Sequence, residues 1–393
     1  MAQFITLTLL TITMIALLLL PTALSFRSGE RPPIKLSDVV GPGYDNFQPP
    51  RIEGKPAHVS IQIEILNIRS VDVTVMSFIA DIFLYKTWKD PRLRYPASKN
   101  LEQVALHPDW IKHLWTPDIY FHNAIEGKVL TTVIPYIYMF LKNDSTVLFG
   151  ARLSLQFSCD MLLHNFPHDT QTCDIIVKSL THTLSEMELH WNEKDSISVG
   201  DYIILPQFEF SEPHPAACDE YLYVGKHGSF ACLRGEIKLS RRAGYYVINI
   251  YIPTILIVFM SMLTFWIPVD AVPGRVTLGV TSLLTIITKQ YQASLPSVSY
   301  VVALNVWLSV CIGFVFCSLL EYAAVVALLN HKTRLQNKVR GDEPEVGGWK
   351  WAKSVFQSSV DKIDVHNIDR LCRIIFPVIF CLHCITYYSL YAK

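Results

Sequence analysis

The apolar and polar positions divide the chain into three kinds of segment. Ile5–Leu20 is a continuous apolar run, closed by Pro21 and the small-residue pattern Ala23-x-Ser25. It predicts a secretory signal peptide over residues 1–25, with a retained membrane anchor as the other reading. From residue 26 to 245 the pattern becomes strand-like. Val59-Ser-Ile-Gln-Ile-Glu-Ile65 and Leu153-Ser-Leu-Gln-Phe157 alternate at period two. Turn chemistry separates such runs at Lys142-Asn-Asp-Ser145, Phe166-Pro-His-Asp169 and Glu212-Pro-His-Pro215. Short strands at this spacing predict an all-β sandwich head.

Four apolar segments follow. Tyr246–Ile267 and Tyr300–Leu320 carry no charge and are long enough to span a bilayer, and a fourth segment runs over Ile374–Tyr391. The second segment differs. Only thirteen uncharged residues separate Arg275 from Lys289, which at ~1.5 Å each falls short of a ~30 Å hydrocarbon core. It is also rich in hydroxyls, with Thr277, Thr281, Ser282, Thr285 and Thr288. On a helix, Thr277, Thr281, Leu284 and Thr288 share one face, and Val276, Val280, Leu283 and Ile287 form an apolar face on another side. Several copies around an axis would enclose a pore, with the Thr faces inward and a ring of Leu284 as a dewetting constriction. Hydroxyl-mediated helix packing is the other reading.

Composition sharpens this division. The chain is 51% hydrophobic and 17% charged, and 34 basic residues cancel 34 acidic ones. The apolar excess excludes a wholly soluble protein, and the zero net charge offers nothing to nucleic acid. The predicted organisation is a signal peptide (1–25), an extracellular β-sandwich (26–245), three membrane helices (246–329), a cytosolic loop (330–370), and a last membrane helix with a short extracellular C-terminus (371–393). Lys332, Arg334, Lys338 and Arg340 follow the third span, as the positive-inside rule expects for a plasma-membrane protein with both termini outside. Trp349–Arg370 has the composition of an amphipathic helix. No nucleophile motif, phosphate loop or functional carboxylate pair points to an enzyme, so no catalytic residues are assigned.

The head holds four cysteines, Cys159, Cys173, Cys218 and Cys232. An even number in an oxidising compartment predicts disulfides, and three pairings are open. Pairing neighbours in sequence would close two loops of equal length. The other five cysteines lie in or beside apolar segments and read as small buried hydrophobes. Asn143-Asp-Ser145 is a glycosylation acceptor pattern.

Cys159-x13-Cys173, enclosing Phe166-Pro-His-Asp169, resembles the signature loop of the Cys-loop receptors, the pentameric ligand-gated ion channels. Trp115-Thr-Pro-Asp118, Trp88-Lys-Asp-Pro-Arg-Leu93 and Tyr251-Ile-Pro253 resemble further family motifs. Val272-Pro-Gly-Arg-Val-Thr-Leu-Gly-Val-Thr281 is similar to the start of the pore helix in the anion-selective branch, and Leu320-Glu-Tyr-Ala-Ala324 to the end of its third span. The resemblance implies a β-sandwich head on a four-helix membrane bundle, assembled as a homo- or heteropentamer in lipid and conducting chloride. It implies disulfides Cys159–Cys173 and Cys218–Cys232, the latter as in the glycine-, glutamate- and histamine-gated branches and their invertebrate relatives. It implies a pore lined by Pro273, Gly274, Arg275, Thr277, Thr281, Leu284 and Thr288, with Pro273 at the constriction and Arg275 raising the positive potential of the inner mouth. Coupling between head and pore would pass through Phe166, Pro167, Asp169, Arg241 and Pro296.

The agonist is less legible. The resemblance places the site between subunits, around Tyr120–His122, Lys178–Thr183 and the loop Cys218–Cys232, against Phe83–Trp88 and Leu148–Arg152 of a neighbour. Amino-acid-gated relatives hold the ligand carboxylate with an Arg in F-L-R-x-x-W. Here the run is Phe83-Leu-Tyr85-Lys-Thr-Trp88, so Tyr85 replaces that Arg. Lys178 stands where an acidic residue often opens the third loop, and Gly150 stands where a hydroxyl residue is common. Tyr85, Phe121, His122, His182, Tyr223, His227 and Phe230 are the candidate ligand residues. Ten of the thirteen histidines lie in the head: His58, His107, His113, His122, His164, His168, His182, His190, His214 and His227. His titrates near neutrality and binds zinc. Zinc or a pH change is therefore the expected stimulus, with His122, His182, His214, Asp219, Glu220 and His227 as candidate metal ligands. The alternatives are an amine- or amino-acid-gated chloride channel and a non-conducting accessory subunit.

Overall fold

The computed structural model describes residues 34–96, 102–200, 205–219, 224–225, 228–293, 298–340 and 365–391. The signal-peptide segment, Glu220, Tyr223, His227, Pro296 and most of Trp349–Arg370 lie outside the described residues.

A short helix α1 (Leu36–Val39) precedes two β-sheets. The first is built from β1 (Ala57–Asp72), β2 (Ser77–Lys89), β3 (Gln103–Leu106), β5 (Ala124–Val129), β6 (Ile137–Lys142), β7 (Thr146–Ser158), β9 (Met187–Trp191) and β10 (Ile197–Val199). Its main path runs β10-β1-β2-β7-β6-β3. The second sheet runs β11 (Phe208–Phe210), β14 (Gly228–Arg241), β8 (Thr170–Thr183), β4 (Ile119–Phe121), with β12 (His214–Ala216) and β13 (Val224–Gly225) on β14. The alternation read in the sequence becomes the inner faces of the two sheets. Ile61, Ile63 and Ile65 of β1 and Phe157 of β7 are fully enclosed, as are Ile175, Val177 and Ile237 from the facing sheet. Residues at even spacing point the same way on a strand, so each strand carries one wall of the core.

The tryptophan motifs are structural. Trp88 and Trp115 meet edge to face at 6.0 Å between the sheets. Asp90 is fully buried and takes both arms of Arg92 (Nε 2.8 Å, Nη2 2.8 Å) and the Tyr44 hydroxyl at 2.9 Å. The Tyr44 hydroxyl also accepts the Trp115 backbone N–H at 2.9 Å, which joins the N-terminal arm to the loop before β4. The predicted turns fall between β6 and β7 and between β7 and β8, with Asn143 exposed. The third one differs, because His214–Ala216 pairs antiparallel with Glu236–Arg234 as a short edge strand.

Four long helices follow: α2 (Gly244–Trp266), α3 (Val272–Gln292), α4 (Ala303–Arg340) and α5 (Val365–Tyr391). Among the described residues, α2, α4 and α5 are long and apolar enough to cross a membrane. α3 is not apolar enough, as its charge spacing predicts. It is nevertheless 21 residues long, about 31 Å at 1.5 Å per residue, because the helix continues through both flanking charges. The helices also run past the predicted loop boundaries, since the Leu-, Ala- and Lys-rich stretch after Leu320 has no breaker before Arg340.

The bundle is knitted by aromatic and polar contacts. The Tyr251 and Tyr387 hydroxyls are 2.8 Å apart, and Trp307 Nε1 donates to Thr254 Oγ1 at 3.0 Å. Gly279 lets α3 approach α4, since a Cβ there would lie 2.8 Å from Leu319 Cδ1. The sharpest stability test is in the head. Asp90→Ala would remove the buried acceptor of the partly exposed Arg92 and of the Tyr44 hydroxyl, a loss of about 1.5–3 kcal/mol. The expected outcome is little folded receptor at the cell surface, measured by surface biotinylation, with partial recovery in the double variant Asp90→Ala/Arg92→Ala.

Candidate functional site

Both cysteine pairs form disulfides, Cys159–Cys173 and Cys218–Cys232. The first closes the loop between β7 and β8, and that loop sits on the head-side end of the helices. Its backbone serves as a helix cap. The opening N–H groups of a helix have no partner within it. Here Ala303 N donates to His164 O at 2.9 Å and Leu304 N to Phe166 O at 3.2 Å, so the loop carbonyls cap α4. The Tyr300 hydroxyl accepts the Leu163 N–H at 3.0 Å, and its ring lies 4.2 Å from that of His164.

Asp169 and Arg241 form the centre of this junction. Arg241 Nε and Nη2 donate to the two carboxylate oxygens at 2.8 and 3.1 Å, with side chains only 4% and 2% exposed. The Arg241 N–H also donates to Asp169 O at 3.0 Å, and the Gln171 amide reaches the same carboxylate. The guanidinium lies over the rings of Phe166 (4.7 Å) and Phe208 (4.5 Å). Phe166 in turn meets Tyr246 of α2 edge-on at 5.1 Å. Phe166, Pro167, Asp169 and Arg241 thus come together as predicted. Burial holds the imidazole of His168 below its ordinary pKa, and His168 Nε2 lies 3.5 Å from the Tyr251 hydroxyl.

The pore residues divide. Pro273, Gly274, Thr277, Thr281, Leu284 and Thr288 are exposed on the protomer, with Leu284 at 66%. The packed face of α3 is Arg275, Gly279, Ser282 and Ile286. Arg275 corrects the sequence expectation. Its side chain turns away from the exposed face and is 0% exposed, paired with Asp369 of α5 and bonded to Ile267 O. Its planar fork meets the Asp369 carboxylate with both terminal nitrogens, a geometry that suits guanidinium. The Thr281, Thr285 and Thr288 hydroxyls donate to carbonyls one turn back, so their protons are committed to the helix. Asp270, unremarked in the sequence, is exposed in the turn before α3.

Around the expected agonist loops, Asp118 accepts the Thr181 N–H at 2.7 Å and the Thr181 hydroxyl, tying β4's leading loop to the end of β8. Tyr120 and His122 contact each other (3.3 Å). Phe121 is a correction: it pairs with Val177 and packs edge-on against Phe157 at 5.6 Å, so it belongs to the core. Phe230 is half-buried, in register with Thr183. Lys178 is buried, in register with Tyr120 on one side and Cys232 on the other. Burial first, and then the charge of Lys178, hold His122 below its ordinary pKa.

The metal candidates do not converge among the described residues, where no group of three donors surrounds a common point. His182 faces Trp115 and lies 3.5 Å from Glu186. His214 is 3.3 Å from Glu236, and Asp219 is 3.5 Å from Arg234, which also binds Asp174 and Glu236. His182, His214 and Asp219 each have their own partner, because the strand register distributes them.

The opposite face carries a group that sequence reading missed. β2, β7 and β6 align Tyr85, Gly150 and Tyr138 in one cross-strand row. The Tyr85 hydroxyl donates to Glu64 Oε2 at 3.0 Å, and the Phe83 and Tyr85 rings stack at 5.5 Å. A Cβ on Gly150 would lie 2.3 Å from Tyr138 Cζ, so the missing side chain makes room for that ring. Burial, then the Glu64 carboxylate, raise the Tyr85 phenol well above its ordinary value. The β1–β2 register was the signal needed to find Glu64. Lys86, one position on, points inward: its Nζ donates to Pro117 O at 3.1 Å and lies 4.5 Å over Phe149. Desolvation lowers its pKa to about 8, against an opposing pull from Asp118.

The neurotransmitter-gated ion-channel ligand binding domain family model matches residues 35–242, which is more than half of the chain. The chain belongs to the Cys-loop family of ligand-gated ion channels. The neurotransmitter-gated ion-channel transmembrane region model matches residues 250–347. Cys-loop channels assemble as pentamers, which supplies the axis that the exposed face of α3 requires, and they are channels rather than enzymes.

The junction yields a direct test. Asp169→Asn removes the charge from a buried two-bond pair, each bond being worth about 1.5–3 kcal/mol. We expect normal surface labelling, with the stimulus needed for half-maximal current raised about tenfold. Unchanged sensitivity would remove Asp169 from the coupling path.

Proposed function

We propose that this chain forms an anion-conducting pentameric channel in the plasma membrane, with the head outside, opened by an extracellular stimulus other than an amino acid. The pH form of this stimulus is the reading the geometry supports best. The observation that carries it is Lys86. One buried ammonium bridges the complementary strand β2 and the loop that leads into β4, through Pro117 O and the neighbourhood of Asp118. Asp118 in turn grips Thr181 of the third agonist loop. A proton lost from Lys86 changes the hold between these elements.

The sign follows from the shift. The folded-state pKa of Lys86, about 8, lies below its ordinary 10.5. Burial therefore penalises the charged form. The fold is penalised while Lys86 is charged, at pH below about 8, and that penalty is relieved as pH rises from there toward 10.5. His122, held below its ordinary pKa by burial and then by Lys178, is a second basic group shifted in the same direction. Amino-acid capture is unsupported on both faces, with Tyr85 in place of a guanidinium and Lys178 in place of a carboxylate. A zinc stimulus would draw on the His122 imidazole. A small amine is the second reading, favoured by Glu64, Tyr85, Phe83 and Tyr138 on the complementary face.

Anion selectivity is supported by the start of α3. Pro273 and Gly274 are exposed at a helix N-terminus, where the macrodipole is positive. Five such ends around an axis favour an anion, and Arg275 adds little from its buried position. Asp270 opposes this in part.

Expression in oocytes under voltage clamp decides between these readings. Stepping external pH across about 8 should evoke a current that reverses at the chloride potential. Lys86→Met, which keeps the chain length without the charge, should fold and lose that pH dependence. A wild-type pH response in Lys86→Met, or activation by glycine or glutamate, would overturn the pH reading. A reversal potential that follows sodium would overturn the anion assignment.

A further inference from the structure

We propose that Asp369, on α5 and away from the exposed face of α3, is a positioning residue for the inner mouth of the pore. It holds the Arg275 charge out of the ion path. With Arg373 it also pins the turn from which α3 starts. The proposal rests on α3 lining the pore.

The turn between α2 and α3, residues 267–271, begins where helix carbonyls run out of partners. The last carbonyls of a helix need outside donors, and arginine near a C-terminus supplies them. Two arginines do so here. Arg373 Nε donates to Phe265 O at 2.9 Å, with its guanidinium 4.7 Å over Trp266. Arg275 Nε donates to Ile267 O at 2.8 Å, and its Nη2 reaches the same oxygen. The far edge of the Arg275 fork then meets Asp369, Nη1 to Oδ1 at 3.2 Å and Nη2 to Oδ2 at 2.5 Å. Asp369 and Arg373 are one turn apart on α5, so a single helix face reaches both sides of the turn. The pair is sealed, with Arg275 at 0% and Asp369 at 2% exposure, and the guanidinium lies 5.4 Å over the Tyr322 ring.

Pro273 and Gly274 are the residues immediately before Arg275, so the position of its side chain fixes theirs. Asp369 therefore sets both the place of the mouth and the charge within it. A second acceptor lies beside the pair. Glu321 of α4 interacts electrostatically with Arg275 and Asp369, and both its carboxylate oxygens are buried without a hydrogen-bond donor. If Asp369 loses its charge, Arg275 has another seat and the bundle keeps its fold. The cluster of Arg275, Asp369 and Glu321 is then one unit more positive, whichever carboxylate the guanidinium faces.

The test needs no agonist. Gly274→Cys is placed in the full-length channel, and its modification from the cytosolic side is timed with an anionic and a cationic methanethiosulfonate reagent. The same protein without the introduced cysteine is the control. The anionic-to-cationic rate ratio should rise at least about fourfold when Asp369→Asn is added, the effect of one charge per subunit at roughly 10 Å in water. Asp369→Glu should restore the wild-type ratio. In an Arg275→Gln background a buried Asp369 without its cation is held neutral, so Asp369→Asn should leave the ratio unchanged. An equal ratio with and without Asp369→Asn overturns the proposal, as does an undiminished effect in the Arg275→Gln background. Should Asp369→Asn fail to reach the surface, Asp369→Ser, which also removes the carboxylate, carries the same test with the same sign. A Gly274→Cys that reacts in no background overturns the pore reading itself, and the proposal with it.

Discussion

The bidentate pair between Asp169 and Arg241 is the constraint on which the arrangement of head and helices depends. Arg241 is the last residue of β14, three positions before α2 begins. Asp169 closes the disulfide-bounded loop whose carbonyls cap α4. One buried ion pair therefore fixes the relation between the strand that leads into the first membrane helix and the loop that seats the third. Breaking a buried pair by removing one partner is costly because the other charge is left unpaired. The stacking of Arg241 between Phe166 and Phe208 seals it further, beside the contacts of His164 with Tyr300 and of His168 with Tyr251.

A second buried pair repeats the device at the far end of the bundle. Arg275 and Asp369 join α3 to α5, and Arg275 also takes the carbonyl left over at the end of α2. The exposed face of α3 is thus held from behind at its start and near its middle. At one end charge fixes the turn into the helix. Near the middle, Gly279 permits close contact with Leu319 of α4. The hydroxyl-rich face can then remain free of packing duties, as the wall of a water-filled path requires.

The head sets its polar and aromatic faces on a fixed scaffold. The tryptophan motifs, the Asp90 cluster and the two disulfides are scaffold, and they account for most of what resembles the family. The substitutions fall on the faces that the scaffold presents. Tyr85, Gly150 and Tyr138 form a row in which each change accommodates the next, because the absent side chain of Gly150 is the space occupied by the Tyr138 ring. Lys86, on the alternate face of the same strand, is drawn into the interior, where its charge is costly.

The sequence by itself determined the division into a strand-rich head and apolar helices, the Thr and Leu face of α3, the cysteine-closed loop and the family. Each of these rests on periodicity or on short-range spacing, which a linear chain records. Tertiary structure decided what periodicity cannot encode. Arg275 and Asp369 are 94 residues apart, and their pairing moves the one cation expected at the pore mouth into the bundle. Phe121 faces the core and His122 does not, because register rather than residue type selects the face. Glu64 meets Tyr85 only through the β1–β2 pairing, and the histidines that looked like one metal set are separated because the strands between them carry each to a different partner.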